Sequence, residues 1–269
     1  MTGPRVRTRG SSAKRLPAVD DHFVAEGSRV EVVRGRLYMT PPAREPHGEA
    51  HLTLAYVLGA VVGPGWQPAV DLLTRTSHDS DFAPDASVYP KKRDPETGGR
   101  QLEELAFEIA ETRIPKLTTL KARELSRRGV RRVFCVLLSK ERVLEWSRAT
   151  DTWSPMAAGD EILDRCFVRP LPIAALLDAA AADRAVVDAL EARRHPAIVE
   201  IERRERSKTL RTALLAVLSA RQLVPTAAER TEIRSETSAR RLRSCIERAA
   251  TADTVRQALA RGRRSKRRA

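Results

Sequence analysis

The segment LTTLKARELSRRGVRRVFCVLL, residues 117–138, constrains the fold more than any other. Its first half is an amphipathic helix, with Leu117, Leu120 and Leu125 on one side and Gly129 placed as a stop. The apolar run that follows, within residues 130–138, has the pattern of a central strand, covered on both faces. A chain that runs from such a helix into such a strand needs layers on both sides of a sheet.

The remaining pattern supplies them. SRVEVVRGRLYMTP (28–41) alternates around Arg-Gly and reads as a hairpin. HGEAHLTLAYVLGAVV (47–62) has helix-spaced apolar residues and stops at Gly-Pro-Gly. Residues 66–78, 81–90 and 102–111 read as strands, and VLEWSR follows the turn SKER. The order β-β-α-β-β-β-α-β-β implies an α/β sandwich around a mixed sheet flanked by helices. Past Leu163 the chain turns helical, over 172–194 and 198–223, and Thr226 and Glu229 form a capping box for the next helix. The expected organisation is a basic disordered arm (1–19), an α/β domain (20–177), an all-helical appendage (178–260) and a basic tail (261–269).

The charge sits at the ends. Of the net +14, residues 1–16 carry +5 and residues 200–269 carry +11, so residues 17–199 carry −2. A near-neutral body between basic ends suits a protein that grips a phosphate backbone while the body acts on it; an arginine-rich composition would leave the same trace. Three cysteines, Cys135, Cys166 and Cys245, stand far apart and odd in number. They fit small core residues in a reducing cytoplasm, not a disulfide framework. No apolar run nears the roughly 20 residues that span a bilayer, so no membrane partner is expected.

Two acids interrupt strand-like sequence: Asp85 in APDASVYP and Glu108 in LAFEIAE. A buried carboxylate is costly unless paired, hydrogen-bonded or bound to a metal. Lys121 follows on the next helix, close to its apolar stripe. Two strand carboxylates with a lysine nearby are what metal-assisted phosphodiester hydrolysis requires: oxygen ligands for Mg2+, and a cation to orient water or steady developing charge. Taken singly, each residue also fits an ordinary strand-end acid or a solvated helix lysine.

The ordered set VEVVRGRLYMTPP, HGEAHLTLAYVL, FAPDASVYP, LAFEIAE, KARELSRRGVRRVFCVLL and RVLEWSR resembles the Uma-two family of restriction-endonuclease-like proteins, within the PD-(D/E)XK superfamily. The resemblance covers about residues 20–177. It implies a restriction-endonuclease-like fold and a Mg2+-dependent (or Mn2+-dependent) DNA endonuclease. Asp85 matches the acid of the family's PD, Glu108 the glutamate of its next strand, and Lys121 its helix lysine. Glu31 and His47 match the acid before its hairpin turn and the histidine opening its first helix. The implied metal ligands are Asp85, Glu108 and Glu31, with Lys121 and His47 assisting catalysis. The sequence leaves oligomeric state open; a homodimer would suit double-strand cleavage. Ala110 stands where the superfamily has a lysine, and Glu111 where the family often has serine. The alternative is a decayed nuclease fold that binds DNA or a protein without cutting. HGEAH (47–51) places its glutamate third, not second, and is no zinc-protease motif. Trp146 and Trp153 read as packing residues.

Overall fold

The computed structural model describes residues 15–25 and 27–260; the tail 261–269 and all of the arm but residues 15–19 lie outside the described residues. The chain forms two compact units, up to Arg193 and from Arg194 onward.

In the first unit β1 (Val30–Val33) and β2 (Arg36–Met39) form the hairpin expected around Arg34–Gly35. Helix α1 (Glu45–Val61) follows, then β3 (Trp66–Val70), β4 (Thr74–Ser77), β5 (Ser80–Phe82), β6 (Ala86–Pro90) and β7 (Leu105–Ala110). Helix α2 (Lys116–Arg128) leads to β8 (Arg132–Leu137), β9 (Arg142–Ser147) and β10 (Thr152–Pro155). The short strands β11 (Glu161–Ile162) and β12 (Leu171–Pro172) and helix α3 (Ala179–Ala192) complete the unit.

The central sheet runs β10-β9-β8-β7-β6-β3, with β7 and β8 parallel and the other neighbours antiparallel. A parallel pair needs a crossover, and α2 supplies it. Every residue of β7 is buried, as expected for a strand between two layers. On one face Phe107 and Phe134 stack 5.1 Å apart in a core shared with Leu54, Val57 and Leu58 of α1. On the other, Ala106 meets Ala122 and Leu125 of α2 and Val33 and Phe82 of a second, four-stranded sheet, β2-β1-β5-β4.

Two expected strands are each divided by a change of sheet. Residues 81–90 split at Ala83–Asp85, so β5 belongs to the small sheet and β6 to the central one. Residues 66–78 split at Asp71–Leu73, so β3 and β4 part in the same way. Alternation along a sequence reports burial but not which sheet receives the strand. The crossings lie together: Asp71 N–H donates to the Asp85 carbonyl at 3.3 Å.

The unit's boundaries also differ from those expected. Pro17 O accepts from Arg128 (2.6 Å), Val19 O accepts from Arg75 N–H (2.9 Å), and Val19 is buried, so structure begins before residue 20. The sequence places helix α3 in the appendage, yet Ala182, Ala185, Val186 and Ala189 are buried in the α1 core. Its amphipathic stripe identifies a buried face without saying whose core it enters.

The second unit contains α4 (Pro196–Ala220), α5 (Ala227–Ser235), α6 (Ala239–Ala249) and α7 (Val255–Leu259). Thr226 and Glu229 make the expected capping box. Leu214, Leu218, Ile233, Leu242, Cys245 and Leu259 share its core. Cys135, Cys166 and Cys245 are all buried free thiols. Among the described residues no helix is long and apolar enough to cross a membrane.

Gly129 ends α2 at φ +123°, and a Cβ there would meet Leu102 Cδ2 at 3.3 Å. Gly129→Ala is expected to destabilise the protein by ~1–2 kcal/mol through backbone strain, read as a lower midpoint in urea unfolding.

Candidate functional site

The crossing of the chain between sheets exposes backbone that neither sheet uses, and acidic and basic side chains gather there. Lys121 of α2 is almost wholly buried and donates to Glu31 Oε1 of β1 (2.8 Å) and to the Ala83 carbonyl (2.8 Å). Its third contact is Glu108 Oε1 of β7, at 3.6 Å. The Ala83 N–H also donates to Glu31 Oε1 (3.1 Å), so the lysine and the crossing turn hold the same carboxylate. Asp85 Oδ2 accepts the backbone N–H of Ile109 at 2.5 Å, which fixes Asp85 beside Glu108. His47 Nε2 of α1 stands 3.6 Å from Asp85 Oδ1. All five residues named from the sequence, Glu31, His47, Asp85, Glu108 and Lys121, therefore meet at one end of the central sheet.

Other buried acids differ in kind. Asp81 accepts from His22 and from the N–H groups of Phe23 and Val24 at 2.9–3.0 Å. Glu103 is paired with Arg100 and Thr74, and Glu124 with Arg34 and Arg127. Each of those acids is held by a histidine or an arginine, although Glu103 Oε2 is also buried without a hydrogen-bond partner. Glu31, Asp85 and Glu108 have no arginine partner among the described residues, and Glu31 Oε2 and Glu108 Oε1 are buried without a hydrogen-bond partner.

The electrostatics follow from this imbalance. Burial, reinforced by Asp85 and Glu31 against the pull of Lys121, raises the Glu108 carboxyl well above the usual range. Burial alone would lower Lys121, but Glu108, Glu31 and Asp85 together raise it above the ordinary lysine value. Asp85 is lowered: burial opposes this, but the His47 contact, the Lys121 charge and the Ile109 N–H outweigh it. His47 is raised, chiefly by Asp85, with Glu111 and Asp71 adding to it. Cys135, opposite Glu108 in register, is raised by burial and by the charges of Glu108 and Asp85. Both causes favour its neutral thiol form.

The donor set suits a hard divalent cation. Glu31 and Glu108 share a single lysine, Asp85 stands beside Glu108, and one oxygen each of Glu31 and Glu108 lacks a partner; an oxygen-ligated ion offsets these deficits. Ala110, buried at 2 % exposure, offers no charge, so Lys121 is the cluster's cation.

A family model described as "Putative restriction endonuclease", Uma2, matches residues 14–170. The chain belongs to the Uma2 family. Among solved structures, the crystal structure of "a putative nuclease belonging to DUF820 from Anabaena variabilis ATCC 29413" is 17% identical to this Uma2 chain. That match covers 55% of this chain and 88% of the other, with a TM-score of 0.45. No curated protein matches the chain. Membership fits the α/β fold with its mixed sheet between helices, as the sequence implied.

Two further residues beside the cluster, His51 and Asp71, are not singled out by the sequence as candidate ligands. His51 Nε2 lies 3.4 Å from Asp71 Oδ1, and His51, Asp71 and Asp85 each bring one ligand atom within 4.8 Å of the others. His47 and His51 do share a helix face by spacing, but Asp71 reaches them only because β3 and β4 enter different sheets. The tryptophans pack as expected, Trp146 edge-on to Trp153 at 5.2 Å.

Proposed function

We propose that this Uma2 protein is a Mg2+-dependent or Mn2+-dependent endonuclease that hydrolyses phosphodiester bonds in DNA. The observation that carries the reading is the convergence of Glu31 and Glu108 on Lys121, with Asp85 fixed beside Glu108 through the Ile109 N–H and buried oxygens of Glu31 and Glu108 left unpartnered. Asp85 and Glu108, with Glu31 behind them, would hold the divalent ion through oxygen. When bound, that ion polarises the phosphate and lowers the pKa of water.

The chain's own residues do the rest. Lys121 keeps its proton at neutral pH, so it donates hydrogen bonds and does not act as a base. Two of its three N–H groups are committed to Glu31 and Ala83. The third, facing Glu108 at 3.6 Å, is the one that turns to the attacking water or to a phosphate oxygen. Glu31 positions Lys121 in this reading and touches no reacting atom. His47 holds its proton more tightly than free imidazole and faces Asp85, where it steadies phosphate charge. The basic ends add affinity that is independent of sequence and falls with salt. A homodimer, with one such site facing each strand, would suit double-strand cleavage.

The test is incubation of supercoiled plasmid with the protein and Mg2+ or Mn2+. Nicked or linear product that EDTA prevents is the expected result. Retarded but intact plasmid with both metals would instead favour a fold that binds DNA without cutting it.

A further inference from the structure

The acid cluster has a neighbour of different chemistry. His47 and His51 lie one turn apart on α1 with near-parallel rings, 6.3 Å between centroids and 17° between planes. His47 faces Asp85, and His51 faces Asp71. His51 Nε2 is fully buried yet has no hydrogen-bond partner. The Asp71 carboxylate opposite it is held by a left-handed residue, φ +49°, a conformation aspartate tolerates better than most. Asp71 N–H then ties that turn to Asp85 O at 3.3 Å.

One nitrogen and two carboxylate oxygens within 4.8 Å of one another come close to the spread, about 4.4 Å, that a single ion holds between ligands at ~2.2 Å. Asp71 is 71% exposed, so an ion has a path from solvent. The ligand set is what distinguishes this position from the Glu108 cluster. Mg2+ prefers oxygen throughout, whereas Mn2+, Co2+ and Zn2+ accept imidazole readily and bind it more tightly along that series of softer ions.

We propose that His51, Asp71 and Asp85 form a second divalent-cation seat, which takes imidazole-accepting ions in preference to Mg2+ and shares Asp85 with the Glu108 cluster. The inference rests on the nuclease reading for the first seat, and Asp85 is the bridge between the two.

The experiment is titration of metal-free full-length protein with Co2+, counting bound ions by equilibrium dialysis and following the visible bands of the coordinated ion. Circular dichroism on each variant checks that it is folded. Wild type is expected to bind two Co2+ per chain, His51→Ala and Asp71→Asn one, and Glu108→Gln one. Saturating Mg2+ is expected to displace one Co2+ from wild type, and to leave Asp71→Asn with Co2+ affinity at least about tenfold below that of the ion wild type retains. Two ions retained at unchanged affinity in His51→Ala would overturn the second seat. A single wild-type ion lost in Glu108→Gln but kept in His51→Ala would also overturn it, and would leave the nuclease reading intact. A single ion lost in His51→Ala but kept in Glu108→Gln would sustain this seat and count against the Glu108 cluster.

Discussion

Glu108→Gln is expected to cut phosphodiester cleavage by at least about a thousandfold, since it removes a ligand from an ion worth several kcal/mol of transition-state stabilisation. The same substitution is expected to leave the metal-free fold as stable as wild type, or more so. Glu108 is buried, its Oε1 has no hydrogen-bond partner, and its nearest cation stands 3.6 Å away and is already held by Glu31. Its folded-state pKa is raised above the ordinary 4.5. Stability from such a group is fully present below the unfolded value and is lost as pH rises through the folded one. Metal-free wild type should therefore lose stability as pH rises from about 4.5. His47, also raised, adds loss of the same sign above its ordinary 6.5. Asp85 is lowered, so its contribution is lost only as pH falls through the acid range, outside that window. The difference between wild type and Glu108→Gln isolates the Glu108 part. Thermal unfolding in EDTA across this range checks it: a wild-type slope that the variant reproduces unchanged would contradict the assignment.

Lys121→Met is expected to have the largest effect on stability. Methionine keeps the aliphatic stem but withdraws the one cation from three acids, and Glu31, buried at 5% exposure, loses its only ion-pair partner among the described residues. Breaking a buried pair from one side costs about 3–5 kcal/mol, a fall in Tm on the order of 10 °C for a domain of this size. Adding Glu31→Gln to the same chain should return part of the loss, because the charge left unpaired is then gone. Cleavage should be lost in both variants. A Lys121→Met protein as stable as wild type would mean that the lysine is solvated, as a lysine following a strand often is.

The sequence was most legible where one local pattern settles the outcome. The apolar stretch from Val133 to Leu137 forms the central strand its pattern implies, and Gly129 before it ends the helix as its position implies. Glu108 was visible because it breaks an apolar strand that is buried at every position. The meeting of Asp85 with Glu108 was expected from the resemblance, and the Ile109 N–H that joins them is a backbone contact no side-chain pattern encodes. What stayed hidden depended on which surface an element finally meets. Pro84 and Asp71 mark sheet crossings, but each lies within an apparently continuous run. Helix α3 has an apolar face that fits either unit's core. His51 looked like a fragment of a failed zinc motif because Asp71, twenty residues away, becomes its neighbour only after β3 and β4 diverge.

The central claim is that Asp85 and Glu108 serve one divalent ion in cutting DNA. It is tested most directly by comparing wild type, Asp85→Ala and Glu108→Ala on supercoiled plasmid with Mg2+, at equal fractions folded. The account predicts nicking by wild type that depends on Mg2+ and disappears in both variants while their retardation of DNA persists. Cleavage at the wild-type rate by either folded variant would contradict it.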